Sequence, residues 1–179
     1  MASRASTRLK KLTVSALLVA LGVLFLYLGS LLDVLDLSTA ALASLLVAYS
    51  VLELSGPYPY FLWLGTSLLG LLLLPQKSPA LFYALFAGYY PIVKAIFEKK
   101  LPGWLAWILK ILVFHVSLAA FAGVLKLFFP GELSTYFEKP WLPLALYGLS
   151  LVCFVLFDLL LSRLIPLYYN RLQKYLRIK

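Results

Sequence analysis

The chain has 179 residues, of which 63% are hydrophobic and only 13% charged, with a mean hydropathy of +0.95. A soluble domain needs a polar surface that this composition does not supply. The formal net charge of +9 would suit nucleic acid, but the basic residues sit in gaps between apolar runs, where they read as topology signals and a means of attracting anionic lipid rather than as a basic binding face.

In hydrocarbon, only helices and closed barrels satisfy every backbone N–H and C=O. Barrel strands alternate apolar and polar residues. Here Leu, Ala, Val and Phe run on for about 20 residues at a time, the length of a membrane-spanning helix. The sequence therefore predicts an all-α integral membrane bundle of six transmembrane helices with N- and C-termini cytoplasmic. A basic leader (1–11) precedes the transmembrane domain (12–168), and a basic tail (169–179) follows it.

The leader and first apolar run resemble a signal peptide, but the run from Leu12 to Leu32 exceeds a signal h-region, so it is read as a retained first span. Asp33 to Leu37 form a short link, and Ser38 is the expected N-cap of a second span ending near Leu54. Gly56-Pro57-Tyr58-Pro59 breaks the chain before a third span from Tyr60 to Leu74. A fourth runs from Pro79 to Phe97, with proline at its first position. A fifth runs from Trp104 to Phe129, and a sixth from Trp141 to Tyr168 after a loop from Pro130 to Pro140.

Charge fixes the orientation. With the N-terminus inside, Arg4, Arg8, Lys10, Lys11, Lys94, Lys99, Lys100, Lys110, Arg163, Arg171, Lys174, Arg177 and Lys179 fall on the cytoplasmic side. Only Lys77, Lys126 and Lys139 fall outside, beside Asp33, Asp36, Glu132 and Glu138. That asymmetry is the positive-inside pattern, and Trp104, Trp107 and Trp141 stand at span ends, where indoles anchor.

Ionisable residues inside spans are the first candidates for function. At 1.5 Å per residue, Glu53 and Lys94 lie about 22 Å from the outer end of their spans and Asp158 about 26 Å. They form an intramembrane charge layer in the cytoplasmic third, with Lys94 placed to bridge Glu53 and Asp158, or to pair with Glu98 at i,i+4. A relay for protons or ions and a clamp between helices both fit. His115, about 16 Å into the fifth span, suits a hydrogen bond to a neighbouring helix or a titrating site. Gly88-Tyr89-Tyr90-Pro91 interrupts the fourth span, and Pro91 frees the Ala87 carbonyl, as in a kink or a cavity wall. Tyr27, Tyr83, Phe128, Tyr136 and Tyr147 are the candidates for an outer aromatic pocket taking a small molecule, though a belt and core would use such residues too. The lone Cys153 forms no disulfide within the chain, no cluster of metal ligands is evident, and no hydrolase, kinase, P-loop or zinc-protease motif occurs. The sequence predicts no catalytic residues, cofactor or metal.

Small residues mark possible helix contacts: Ala16 and Ala20 in the first span, Ala40, Ser44 and Ala48 in the second. The leader Arg8-Leu9-Lys10-Lys11-Leu12 running into Thr13-Val14-Ser15-Ala16-Leu17-Leu18-Val19-Ala20, together with chain size, six spans and inside termini, resembles the S components of energy-coupling factor (ECF) transporters. The resemblance covers the whole chain as architecture and Ala16 and Ala20 as motif. It implies a prokaryotic plasma-membrane protein that binds a vitamin-like solute at the outer face. It further implies docking through Ala16 and Ala20 on a transmembrane coupling subunit driven by two cytoplasmic ATPases. A non-transporting scaffold or assembly factor, and a proton-coupled transporter or channel, are the other readings of the same residues.

The orientation is open to test. With Cys153→Ser, a Lys77→Cys chain should react with an impermeant maleimide on intact cells, and a Lys100→Cys chain only after permeabilisation. The reverse pattern would overturn it.

Overall fold

The computed structural model describes residues 2–32, 35–54, 56–128 and 141–167. It is helical almost throughout: α1 (Ala2–Leu32), α2 (Asp36–Glu53), α3 (Tyr58–Leu73), α4 (Ser78–Phe82), a π turn (Tyr83–Ala87), α5 (Tyr90–Lys100), α6 (Gly103–Phe128) and α7 (Trp141–Leu167). α4, the π turn and α5 together make the fourth span. Five of the resulting six helical segments are long and apolar enough to cross a membrane; the other, α3, has 16 residues, about 24 Å of helix. The chain is a multi-pass helical membrane bundle.

Two boundaries differ from expectation. α1 begins at Ala2 rather than Leu12, because nothing between them breaks a helix: the leader is Ala, Ser, Arg, Thr, Leu and Lys without Gly or Pro. Ser38 is not the N-cap of α2. The helix already begins at Asp36, whose acid favours the first turn, and the Asp36 carboxylate accepts from the Ser78 hydroxyl at the start of α4. The loop from Pro130 to Pro140 lies outside the described residues, as do Asp33 and the basic tail.

Apolar side chains gain little by leaving lipid for protein, so close packing and hydrogen bonds hold such a bundle together. α1 approaches α2 and α3 through glycines. A Cβ on Gly29 would overlap Thr39 Oγ1 of α2, and one on Gly22 would lie 3.0 Å from Thr66 Cγ2 of α3. α2 supplies a small face to the same core, with Ala40, Ala43, Ser44 and Ala48 all buried. Two hydroxyls in this apolar setting are satisfied within their own helices: Ser15 donates to the Lys11 carbonyl at 2.9 Å and Ser44 to that of Ala41 at 3.0 Å. Between α2 and α3, Gly56 takes a φ of 66° to turn the chain. Lys11 closes that turn by donating to the Leu54 carbonyl at 2.8 Å, with its ammonium 5.9 Å from the centre of the Tyr58 ring.

The break in the fourth span is a π turn followed by Gly88 and Pro91. Gly88 N–H donates to the Tyr83 carbonyl at 2.7 Å, five residues back. The Ala84 carbonyl accepts from the Trp63 indole of α3 at 3.1 Å. Gly88 is required by that approach: a Cβ there would lie 2.5 Å from Trp63 Cδ1 and 2.8 Å from the Tyr83 carbonyl oxygen. Around Gly123 of α6 nothing lies within 4 Å of such an atom.

Gly88→Ala should therefore lower unfolding stability in detergent by about 1–3 kcal/mol, the range for overpacking. Gly123→Ala should leave stability unchanged or raise it by up to about 1 kcal/mol, by helix propensity. Equal effects of the two in a thermal or denaturant titration would refute the packing role of Gly88.

Candidate functional site

Lys94 of α5, Lys110 of α6 and Asp158 of α7 are all buried, and they meet in one cluster toward the end of the bundle that carries the α5–α6 turn. Lys94 donates to Asp158 Oδ1, to Ser162 Oγ at 2.8 Å and to the Asp158 carbonyl at 3.2 Å. It pairs with Glu98 Oε1 at 3.0 Å, one turn on in the same helix. Lys110 pairs with the same Glu98 oxygen at 2.6 Å and with Asp158 Oδ1 at 3.2 Å. Tyr90 donates to Asp158 Oδ1 at 2.7 Å. Two cations thus face two carboxylates, and only Glu98 reaches the surface, its side chain 36% exposed.

This is the expected charge layer with one member exchanged. Lys94 and Asp158 come together as anticipated, and Glu98 joins by the i,i+4 spacing. Glu53, half-buried in the last turn of α2, is not an ion-pair partner of Lys94. Lys110, which in the sequence reads only as a topology signal, joins the cluster through Glu98 and Asp158. The clue lies in the spacing: Lys110, Phe114 and Ser117 fall on one face of α6, and all three are buried.

One helical turn outward from the charges, on each of the three helices, stand aromatic rings. Phe86, Tyr90, Phe114, Phe154 and Phe157 form a continuous ring cluster, with centroids 4.8 Å apart for Phe114–Phe154 and 5.0 Å for Phe86–Tyr90. Phe86 reaches Phe154 and Phe157, both at 6.0 Å, while Tyr90 reaches them at 5.6 and 5.7 Å. Rings so arranged leave no polar lining for water. On the other side of the charges, a cleft of about 40 Å³ opens beside Lys94 and Glu98, between Ala48 and Leu52 of α2, Pro91 of α5 and Leu161 of α7. That is room for water, far below the few hundred Å³ of an organic ligand site.

Of the aromatic candidates for an outer pocket, the three described ones stand in different surroundings. Tyr27 is exposed on α1 and Tyr83 is wholly buried in the π turn. Tyr147 is exposed on α7 and donates its hydroxyl to His115 Nε2 of α6 at 2.8 Å. The tautomer follows from the other nitrogen: Nδ1 lies 2.8 Å from the Ile111 carbonyl, which only accepts, so Nδ1 carries the proton. His115 thus makes the expected bond to a neighbouring helix. The side chain of Phe128 and the whole of Tyr136 lie outside the described residues. Among the described residues no group of three or more His, Cys, Asp or Glu is placed to hold a metal ion, and Cys153 is a free thiol.

Ala16 and Ala20 face away from the bundle. The buried side of α1 carries Ser15, Leu18, Gly22, Leu26 and Gly29 instead. The α2 stripe of Ala40, Ser44 and Ala48 is internal packing. Comparison of the chain with protein-family models, with curated proteins and with solved structures finds no match.

The cluster has the geometry of a clamp on α5, α6 and α7. Asp158→Asn should lower stability by about 3–5 kcal/mol, since it leaves two buried cations to one acid. Adding Lys110→Met should restore part of the loss by returning the cluster to one charge of each sign. Strict additivity of the two substitutions in a double-mutant cycle would show that the residues act independently.

Proposed function

We propose that this protein is a membrane subunit of the S-component kind in a prokaryotic plasma membrane. It binds a small vitamin-like solute from the outer face and docks through α1 on a transmembrane coupling subunit served by two cytoplasmic ATPases. The observation that carries this reading is the division of small residues on α1. Gly22 and Gly29 are consumed by contacts to α3 and α2, whereas Ala16 and Ala20 are left on the outward side. Two alanines four residues apart on an outward helix face give another helix a place for close approach.

The second reading, a non-transporting scaffold or assembly factor, draws support from the cytoplasmic half. The charges there are paired and capped by rings, and Tyr27, Tyr83 and Tyr147 occupy three different surroundings. A proton-coupled channel is the least favoured, because aromatic rings, Phe86, Tyr90 and Phe154 among them, pack one turn outward from Asp158 where a relay would need polar groups in series.

Purification from the native membrane separates these readings. The chain should bring down a membrane subunit and ATPases, and Ala16→Leu with Ala20→Leu should reduce their recovery by about tenfold or more, about 1.4 kcal/mol of association. Because both alanines are exposed, the double variant should keep the melting temperature of the parent. Undiminished recovery would sink α1 docking. Native mass spectrometry that finds no small molecule on the protein, with no ATPase in the complex, would favour the scaffold.

A further inference from the structure

Glu98 turns inward to the buried lysines, whereas its neighbours Lys99 and Lys100, the last residues of α5, turn outward and are exposed. Among the described residues neither of these two lysines forms an ion pair. The chain then reverses over Leu101 and Pro102 and enters α6, whose first turn contains no acid. The cluster beneath is balanced in charge, so the surface of this turn carries the uncompensated charge of both lysines. Directly below, on one side of α6, Trp104 is 68% exposed, Trp107 40%, Ile108 54% and Ile111 42%. Residues 104, 108 and 111 are spaced i, i+4 and i+7, so they form a single apolar stripe descending from the level of the lysines into the bilayer. Trp107 adjoins it and covers Lys110, whose ammonium lies 5.2 Å from the ring centroid.

A pair of free cations above an exposed aromatic and aliphatic stripe matches one ligand class in both charge and shape. We propose that the turn between α5 and α6 seats an anionic phospholipid of the cytoplasmic leaflet. Lys99 and Lys100 hold the phosphate, Trp104 stands at the glycerol level, and an acyl chain lies along Ile108 and Ile111. A zwitterionic lipid offers the same chain but a headgroup whose own cation opposes the lysines, so the seat discriminates by charge. It is independent of any solute or coupling subunit, and it survives the failure of either proposed function.

The test uses the full-length protein in vesicles of phosphatidylcholine with a minor share of phosphatidylglycerol. After gentle extraction, native mass spectrometry should find phosphatidylglycerol retained by the wild-type protein. Retention should fall in Lys99→Gln/Lys100→Gln and persist in Arg8→Gln/Lys10→Gln, which removes equal charge from the exposed start of α1. Fluorescence supplies a second reading that does not depend on the lysine variant. Brominated-chain phosphatidylglycerol should quench tryptophan emission more than brominated phosphatidylcholine at equal content. That excess should disappear in Trp104→Phe, an exposed position where the change leaves the fold intact. Equal loss of retention in both charge variants, or an excess of quenching that survives Trp104→Phe, would overturn the seat.

Discussion

The half of the bundle that carries the α5–α6 turn depends on one constraint: a charge cannot stay unpaired in hydrocarbon. Lys94, Lys110 and Asp158 are buried, so their partners within the bundle must offset most of the lost hydration. Three helices must therefore meet at one point, and they must meet in register. Asp158 Oδ1 takes Lys94, Lys110 and Tyr90 together, which leaves little freedom for α7 to slide or rotate. The cost of desolvating these groups is large, and the pairing mainly offsets it. The gain is specificity of assembly: among helices so uniformly apolar, side-chain volume alone would distinguish one arrangement poorly from another.

The ring cluster follows from the same constraint. Ion pairs are strongest where water is kept away, and each of α6 and α7 places a phenylalanine one turn outward from its charge: Phe114 from Lys110, Phe154 from Asp158. Tyr90 belongs to both layers, its ring among the aromatics and its hydroxyl on Asp158. A proton path needs polar groups in series. This arrangement instead ends a short polar segment against rings on one side and Glu98 at the surface on the other.

Much of the architecture is legible in the sequence because it reflects the solvent. Apolar runs about as long as the bilayer is thick define the spans, and basic gaps define the expected orientation. The Gly88–Pro91 break is equally visible, since proline removes a hydrogen bond wherever it stands; that a π turn precedes it depends on Trp63 reaching the Ala84 carbonyl from another helix. The charge layer is legible in kind but not in membership. Depth along a span can be counted from sequence, whereas the direction a side chain faces depends on how helices are rotated. Glu53 has a suitable depth and lies outside the Lys94 ion pairs, while Lys110, near a span end, reads as flanking charge. The described outer aromatics, Tyr27, Tyr83 and Tyr147, occupy different surroundings for the same reason.

Helix rotation also bears on what α1 does. Packing against α2 and α3 through Gly22 and Gly29 fixes which side of α1 is inward, and with a repeat of 3.6 residues this places Ala16 and Ala20 outward. Had those alanines been the internal contact, their small size would have been accounted for by packing. Among the described residues the internal contact of α1 is made by others, Ser15, Leu18, Gly22, Leu26 and Gly29. Lipid makes no demand for small side chains, and leucine covers most of the remaining outward surface of α1 at Leu17, Leu21, Leu24 and Leu28. On the proposed reading, this small outward stripe bordered by leucines receives a neighbouring helix rather than acyl chains. The basic and aromatic turn between α5 and α6, with its long side chains and free charge, is suited to lipid.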